Sequence, residues 1–321
     1  MIKNFSYTIP TVGRIAIGEI RENSGKRLPN KLNHFIITSQ HKRGGQWVHH
    51  PIADVVAAET GQTKEAMTEI PVAFMFNDPD LSVRERYEAF DNEGRMLCAG
   101  DGEKARRVVG TKVESVDCAG CDHCPFAKTA RCKLMTRLNV QINVVDEEKK
   151  ARIDPMSSFI LRSSGFNTAR TLHSKLKYFH AMLGGKLVGI PFKLKLRQKS
   201  TSKSRQSIFF YVDLVLDCSL SEAARLAKAT AETMSSIGLN QEAFENAVRE
   251  GLANGAFEDT IEDFAEFEEY IAGDLEGEGG ASGSGADGGF AGSGEGFTAG
   301  QESALDGLDA LRAMMVDQVA A

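Results

Sequence analysis

Two neighbouring stretches decide the fold class: FNTARTLHSKLKYFHAML at residues 166–183 and FKLKLR at residues 192–197. In the first stretch Asn167 is the predicted N-cap of a helix with basic side chains on its polar side, and two glycines end the run. The second stretch alternates apolar and basic residues, as in a strand with one basic face, and residues 208–216 are predicted to return as the other arm of a hairpin. The apolar residues of the first stretch recur at the spacing of one helix face: Leu172, Leu176, Phe179 and Leu183.

Short β-type runs bounded by turn residues predict that the rest of residues 1–217 is mainly sheet. The last of these runs, residues 138–144, alternates strictly between apolar and polar residues, which predicts a half-buried strand. We therefore expect an α+β body at residues 1–217, with a mostly antiparallel sheet and one long basic helix. The other runs lie at residues 35–38, 72–76, 87–90 and 95–100.

The character of the chain changes after residue 217. Ser219 with Glu222 fits a capping box for a first helix, and Asn240 is the expected cap of a second helix. An acidic helix is predicted within residues 260–271, so residues 218–272 are read as a helical segment. The rest is predicted to be a disordered acidic tail, with a Gly-rich flexible linker at residues 273–300 and a short amphipathic helix at residues 301–321.

Charge is distributed unevenly along the 321 residues. The formal net charge of −6 combines 34 basic and 23 acidic residues before position 218 with 4 basic and 21 acidic residues after position 217. This asymmetry favours a body that binds nucleic acid or another polyanion and that carries an acidic tail. A soluble protein with a solvated acidic tail is the other interpretation.

The sequence has none of the segments that are typical of membrane or secreted proteins. It contains no run of about 18 apolar residues, and its first residues lack the continuous apolar region of a signal peptide. We therefore expect a cytoplasmic protein whose cysteines are reduced or bound to a metal.

Four cysteines, Cys118, Cys121, Cys124 and Cys132, lie within 15 residues in the pattern C-x2-C-x2-C-x7-C. Two-residue spacings let a turn direct successive thiolates at one ion, and a fourth ligand completes a tetrahedron. The pattern therefore predicts a metal site and a metal-stapled loop. Cys98 is a fifth candidate ligand. Either Cys98 or His123 is able to replace one of the four clustered thiols, and Cys121 is the thiol that is replaced most readily.

Zinc is the expected ion. The local motif of a [4Fe–4S] cluster continues C-x2-C-x2-C with x3-C-P rather than with x7-C, so an iron–sulfur cluster is the less favoured option. A closed zinc site with four protein ligands has no open position for water. Such a site staples a loop and does not hydrolyse a substrate.

Residues 152–205 hold 12 Lys or Arg and a single acid, Asp154. Phosphate backbones bind to cations on a continuous surface, so this basic stretch is the candidate surface for nucleic acid or a partner. Phe209 and Tyr211 are expected to share a face with the strand lysines and to stack on bases. Two alternatives stay open: these aromatic residues pack in the core, or the basic face docks on an acidic protein surface such as the chain's own tail. The candidate contact residues are Arg162, Arg170, Lys175, Lys177, Lys193, Lys195, Arg197, Lys199, Lys203 and Arg205.

The common catalytic motifs are missing from the sequence. It contains no G-x-x-x-x-G-K-[ST], no H-E-x-x-H and no G-x-S-x-G. We therefore expect a protein without enzymatic activity.

Several segments together resemble the Gp3-like family, which includes recombination directionality factors of phage large serine integrases. The resemblance covers approximately residues 1–257, and the cysteine region and the GFN-x-x-R-T segment are its most specific parts. The segments are FSYTIPTVGRIAIGEI at 5–20, GKRLP at 25–29, YEAFD at 87–91, LCAGDGE at 97–103, the cysteine cluster with RCK at 131–133, and FNTARTL at 166–172.

The resemblance implies a non-enzymatic accessory protein of a phage or mobile genetic element. Such a factor binds a serine integrase on attachment-site DNA, chiefly through protein–protein contact with the coiled-coil region of the integrase, and favours excision in the bacterial cytosol. The resemblance also implies Cys98, Cys118, Cys124 and Cys132 as the recurrent thiols.

Two other functions are considered beside this one. Family members also lie among annealing and single-strand-binding genes, so the alternative is a zinc-containing protein that binds single-stranded nucleic acid in replication or annealing. A metal-dependent hydrolase is a third option, and it requires an open metal site. The sequence predicts no oligomeric state.

Overall fold

The computed structural model describes residues 8–23, 26–91, 95–130, 132–144, 156–200 and 208–253. The predicted turn between the arms of the basic hairpin, with Lys203 and Arg205, lies outside these ranges. So do the predicted acidic helix at 260–271, the linker at 273–300 and the tail helix at 301–321.

Within the described ranges the chain forms twelve strands. Most of them are five to ten residues long, whereas the first two form a longer antiparallel ribbon. The strands are β1 Thr11–Asn23, β2 Lys26–Arg43, β3 Gln46–His49, β4 Glu69–Ala73, β5 Val83–Phe90, β6 Met96–Gly100, β7 Lys104–Val109, β8 Lys112–Asp117, β9 Lys133–Ile142, β10 Ser158–Ser163, β11 Phe192–Lys199 and β12 Phe209–Leu216.

The same ranges contain seven α-helices and a 3-10 turn at Lys64–Ala66. None of these described helices combines the length and the apolar character that crossing a membrane requires. The helices are α1 Ile52–Thr60, α2 Pro79–Ser82, α3 Gly120–His123, α4 Pro125–Ala130, α5 Phe166–Met182, α6 Leu220–Ser236 and α7 Gln241–Ala253.

Nine strands follow one another in the order β3-β2-β1-β10-β9-β5-β6-β7-β8. The end of β9 also pairs with β4, and β11 and β12 continue the sheet from there. The pair β1–β10 is parallel, and the other pairs between these strands are antiparallel. The predicted α+β class with a mostly antiparallel sheet is therefore confirmed.

The main core joins apolar residues of the sheet to helices α1, α5 and α6. Leu172 and Leu176 of α5 are buried in it, as their helical spacing predicts, and α6 contributes Ala223 and Ala227. Because burial of apolar surface stabilises a fold, this shared core holds α6 against the sheet.

Both predicted caps of the C-terminal helices are present. Ser219 Oγ accepts the N–H of Glu222 at 3.2 Å at the start of α6, and Asn240 Oδ1 accepts the N–H of Ala243 at 2.9 Å at the start of α7. Helix α7 packs on a second, smaller apolar cluster. In that cluster Phe244, Val248 and Leu252 contact Ile9, Met75, Phe76 and Leu81.

Strand β9 differs from its prediction because both of its faces are buried. Leu138 lies in the main core, and on the opposite face Arg137 and Asn139 are only 4 % and 2 % exposed. Asn139 accepts a hydrogen bond from Arg84 at 2.7 Å and donates one to Ser158 at 2.9 Å. Polar side chains tolerate burial when they are hydrogen-bonded in this way, so alternation alone overestimates the exposure of a central strand.

The start of α5 also differs from its prediction. Asn167 is not the N-cap, because the helix begins at Phe166 and is capped by Gly165. The backbone of Gly165 is extended (φ −79°, ψ 116°), and its N–H donates to Ser163 Oγ at 3.1 Å. A side chain upstream of the helix therefore holds the entry to α5, and Asn167 lies in the first turn.

Candidate functional site

Residues 96–132 form a cysteine module at one end of the sheet. Strands β6, β7 and β8 make an antiparallel meander, and the short helices α3 and α4 lead from it into β9. This path brings thiols that are far apart in sequence into one neighbourhood. The small apolar cluster around Ala89 and Ala105 includes Cys98, Cys118 and Cys132.

The thiols of the cysteine module lie close to one another. Cys121 Sγ and Cys132 Sγ are 3.3 Å apart. Cys118 packs against Gly100, where an added Cβ would come within 2.6 Å of its sulfur. The glycine in β6 therefore makes the room that this thiol occupies.

A guanidinium group links two other thiols. Arg107 pairs with Cys98 across β6 and β7, and its Nη2 donates to Cys124 Sγ at 3.5 Å. The same guanidinium lies over the ring of Phe126, 4.3 Å from its centroid. A cation held here favours the thiolate form of the neighbouring sulfurs.

The electrostatic environment differs between the thiols. Burial opposes ionisation of Cys124, but the N–H groups of Ala127 and Phe126 and the guanidinium of Arg107 outweigh it, so the pKa of Cys124 is lowered. Burial raises the pKa of Cys121 and of Cys132. Among these three thiols, the thiolate form is therefore favoured most at Cys124.

The described residues do not assemble a metal cage. No three His, Cys, Asp or Glu side chains among them converge in an arrangement that holds a metal ion. All six cysteines are free thiols, and a set of five thiols beside a cation still has the donor chemistry that zinc prefers. The zinc site thus stays a prediction, and so does the choice among its five candidate ligands.

The basic hairpin, which consists of β11 and β12, presents the alternation that its sequence predicts. Leu194 and Leu196 are buried in the core, whereas the basic residues point to the other face. Tyr211 is directly opposite Arg197 in the register, and opposed residues of antiparallel strands share a face. By the same register, Phe209 and Tyr211 lie on the face of Lys193, Lys195, Arg197 and Lys199.

Acidic residues balance most of this basic face. Lys193 Nζ lies 2.6 Å from Asp217, and Lys195 forms an ion pair with Glu69. Arg197 Nε is 3.1 Å from Asp213 Oδ2. A polyanion that binds here competes with internal ion pairs, so the net attraction is weaker than the sequence count of residues 152–205 predicts.

The basic residues of α5 are also paired in part. Lys175 Nζ lies 2.8 Å from Asp213 Oδ1, and Lys177 Nζ lies 2.6 Å from Asp80 Oδ1. Arg162 lies in β10 and is only 7 % exposed, so it belongs to a buried face of the sheet and not to the hairpin surface. The ten candidate contact residues therefore do not form one continuous basic surface within the described part of the chain.

The sequence gave little indication that these acidic residues pair with the cations of the hairpin. Asp213 and Asp217 stand just beyond the basic stretch, but Glu69 is 126 residues away from Lys195 in the sequence. Its contact depends on the pairing of β4 with β11. No pattern in the sequence predicts that pairing.

A cleft of about 270 Å³ at the start of α5 was not anticipated from the sequence. Phe166 is 64 % exposed at its rim, and the guanidinium of Arg170 lies 5.9 Å from the centre of its ring. His173 Nδ1 is 2.9 Å from Glu85 Oε2, and burial raises the pKa of that carboxyl group. Tyr87 completes the wall.

Tyr87 connects this cleft to the cysteine module. Its ring lies near Gly120, where an added Cβ would be 3.6 Å away. Burial, followed by the negative charge of nearby Cys121, raises the pKa of Tyr87. The first turn of α5 and the thiols therefore belong to one continuous region of the molecule.

The fold and the site together define a class: an α+β protein with a cysteine module attached to a mostly antiparallel sheet. A family model described as Gp3-like, recombination directionality factor-like, matches residues 12–217. The chain belongs to this family, which connects it with DNA recombination. No curated protein and no solved structure matches the chain.

Proposed function

We propose that this protein is a non-enzymatic accessory factor that binds a serine integrase in the bacterial cytosol and favours excision. The observation that carries the proposal is the family match over residues 12–217. The matched region includes the whole cysteine module and all of α5, the two regions whose sequence carries the resemblance.

The cleft at the start of α5 offers the surface for such a contact. Phe166 is 64 % exposed on the first turn, and Arg170 lies one turn later beside it. Exposed aromatic and arginine side chains around a pocket are the residues that most often dominate the binding energy of protein interfaces. We place the integrase contact here, with Tyr87 and the cysteine module as its support.

A recombination assay tests this proposal directly. The protein is added to purified cognate integrase with the left and right hybrid attachment sites, and excision is the expected result. Phe166→Ala and Arg170→Ala should each weaken integrase binding by about tenfold or more, as truncation of central interface residues does. Met182→Ala, which removes a side chain that is 60 % exposed at the other end of α5, is the matched control. An unchanged direction of recombination with the wild-type protein would refute the proposal.

Zinc completes the proposal as a structural ion. Four of the five candidates Cys98, Cys118, Cys121, Cys124 and Cys132 would hold it, and it would staple the segment after β8 to the start of β9 or to β6. This role needs no open coordination position, in agreement with a protein that performs no chemistry.

Elemental analysis and variants test the metal. We expect about one zinc ion per chain, lost in Cys118→Ser and retained in Cys218→Ser, whose cysteine lies outside the module. A brown protein that absorbs at about 400 nm would instead identify an iron–sulfur cluster. A purified protein that contains neither zinc nor an iron–sulfur cluster would contradict both assignments of the cysteine module.

Binding of single-stranded nucleic acid is the second candidate function. The observation that favours it is the shared face of Phe209 and Tyr211 with the cations of β11, an arrangement that suits base stacking beside a phosphate backbone. This function predicts affinity for an oligothymidylate that falls steeply with salt, and loss of that affinity in Tyr211→Ala. Salt-insensitive or absent binding would exclude it.

A further inference from the structure

Strand β8 lies at an edge of the sheet. It is the last strand of the order that begins with β3, and within the described part of the chain it pairs only with β7. Residues 111–115 are all exposed, and Val113 is 47 % exposed. An edge strand carries main-chain N–H and C=O groups that can pair with a further strand. The free side of β8 is therefore a surface on which another strand fits.

The direction of these main-chain groups follows from the hairpin of β7 and β8. The N–H of Cys118, just after β8, donates to the carbonyl of Glu103 at 2.9 Å, and the register of the two strands is regular from there to the turn. Hydrogen-bonded positions alternate along an antiparallel pair, so the even-numbered residues of β8 are bonded to β7. Val113 and Ser115 therefore direct their N–H and C=O groups towards the open edge.

The side chains of β8 form a short pattern that can complement itself. Lys112 and Glu114 lie on one face of the strand, because they are two residues apart. The other face carries Val113 between the hydroxyl groups of Thr111 and Ser115. A strand that fits beside β8 thus needs an acid and a base at matching positions, and β8 itself has both.

A second copy of the chain supplies that strand. A two-fold axis perpendicular to the sheet keeps every side chain on its own face, so one residue of β8 must lie opposite its own copy. With Val113 at the axis, Lys112 lies opposite Glu114 of the second copy, and symmetry repeats this pair on the other side of the axis. Opposite charges that face each other in this way stabilise an antiparallel pair.

The valine face fits the same register. Val113 meets its own copy at the axis, and Thr111 lies opposite Ser115 of the second copy, where their hydroxyl groups are able to hydrogen-bond. Within each hairpin Val113 also lies opposite Val108 of β7. The joined sheet therefore carries one continuous row of valines across the interface, formed by Val108, Val113 and their two copies.

Charge excludes the neighbouring registers. If the axis moves by one residue towards the turn, Lys112 lies opposite its own copy. If it moves by one residue in the other direction, Glu114 lies opposite its own copy. Like charges that are directly opposite each other destabilise strand pairing. Charge complementarity therefore selects the register centred on Val113.

We propose that two copies of the chain associate through antiparallel pairing of their β8 strands about a two-fold axis at Val113. The two sheets then form one continuous sheet, and the two cysteine modules become neighbours. Because the pairing uses one short strand of each copy, it belongs to the small, reversible class of interfaces. The proposal does not depend on the role in recombination, since no residue of β8 lines the cleft at the start of α5.

Sedimentation velocity of the full chain tests the association. The protein is measured up to about 500 μM, a range that covers weak complexes, with a reducing agent that prevents disulfides between copies. We expect a reversible monomer–dimer equilibrium, and hydrogen exchange at the amides of Val113 and Ser115 should slow as the protein concentration rises. A wild-type protein that stays monomeric, or a dimer in which these amides stay unprotected, would overturn the proposal.

Charge reversal tests the register. Lys112→Glu and Glu114→Lys each put like charges opposite each other on both sides of the axis, so each should raise the dissociation constant of the dimer by about tenfold or more. Glu65→Lys reverses an exposed charge outside β8. It is the matched control for Glu114→Lys and should leave the dissociation constant unchanged. Single reversals that dimerise as the wild-type protein does would contradict the proposed pairing.

An equimolar mixture of the two reversed proteins gives the sharpest result. In a mixed dimer the two acids of one strand lie opposite the two lysines of the other, so the mixture should dimerise about as tightly as the wild-type protein does. This rescue would also show that neither variant had lost its fold. A mixture that stays monomeric would overturn the proposal.

Discussion

The basic hairpin and one side of the central sheet both gather cations, but from opposite distributions along the chain. We call that side of β1, β10, β9 and β5, which carries Arg14, Arg162, Arg137 and Arg84, the arginine face. The hairpin takes Lys193, Lys195 and Arg197 from five consecutive residues. The arginine face takes its four arginines from positions 14, 84, 137 and 162, on four different strands. The first cluster is visible in the sequence, whereas the second exists only because β1, β10, β9 and β5 are neighbours.

The two surfaces also differ in burial, and burial decides what their charges do. The cations of the hairpin are 29–43 % exposed, and two of their three acids, Glu69 and Asp217, are 29 % and 33 % exposed. The pair Arg137–Glu88 is 5 % and 0 % exposed. Exposed pairs contribute about 0–1 kcal/mol because water and salt screen them, whereas removal of one partner from a buried pair leaves a charge without compensation. Dense charge in a sequence is therefore a poor guide to where charge matters most.

The largest expected effect follows from breaking the buried pair. Glu88→Gln should lower the free energy of unfolding by about 3 kcal/mol or more, because Arg137 stays buried without its carboxylate. Urea denaturation measures this change. Glu222→Gln, which removes the partner of Arg225 from an exposed pair on α6, is the matched control and should leave the urea midpoint unchanged. Equal urea midpoints for the two variants would contradict the claim that a buried ion pair contributes more to stability than an exposed one.

An intermediate effect is expected at Asp213. Its side chain is 7 % exposed and contacts both Lys175 and Arg197. Asp213→Asn should destabilise the protein by about 1–3 kcal/mol, because the buried side chain loses its charge-assisted contacts with two cations. The loss should be smaller than in Glu88→Gln, since both cations can turn towards solvent. Asp217→Asn removes a more exposed carboxylate from Lys193 and is the comparison. A larger loss of unfolding free energy in Asp217→Asn than in Asp213→Asn would show that burial of the carboxylate does not determine the size of the effect.

The smallest effect concerns pH. The hydrogen bond from Lys195 lowers the pKa of Glu69 below its ordinary value of 4.5. The folded state therefore favours the carboxylate, so Glu69 stabilises the fold above about pH 4.5, and this contribution is lost as the pH falls through the lowered pKa. Because the pair is partly exposed, the contribution should stay below about 1 kcal/mol.

Unfolding curves at several pH values check this sign. The stability difference between the wild-type protein and Glu69→Gln should be present near neutral pH and should shrink as the pH is lowered below about 4.5. A difference that stays constant over this range would assign the effect to packing and not to the charge of Glu69.

Local structure was predictable wherever local chemistry sets it. The caps at Ser219 and Asn240 follow from side chains that bond to an N–H three residues later, and the apolar spacing of Leu172 and Leu176 places them in the core. The cap of α5 was missed because Ser163, outside the helix, organises its entry. The burial of β9 was missed because it depends on strands that are distant in sequence.

The candidate site also has features that the local sequence predicts and features that depend on tertiary contacts. The cysteine spacing located the module, and the resemblance located the family that residues 12–217 match. The cleft between Phe166 and Tyr87 and the acids that balance the hairpin were not predictable, because each joins segments that are far apart in the chain.

By itself the sequence determined part of the helices and strands, the thiol spacing, the charge asymmetry and the family of this protein. Only the tertiary structure decided which charges are paired, which are buried and which surfaces adjoin. The physical reason is that helix spacing and caps act over a few residues, whereas ion pairs and burial depend on distances in space. Strand pairing sets those distances, and it brought Arg14, Arg84, Arg137 and Arg162 to one face.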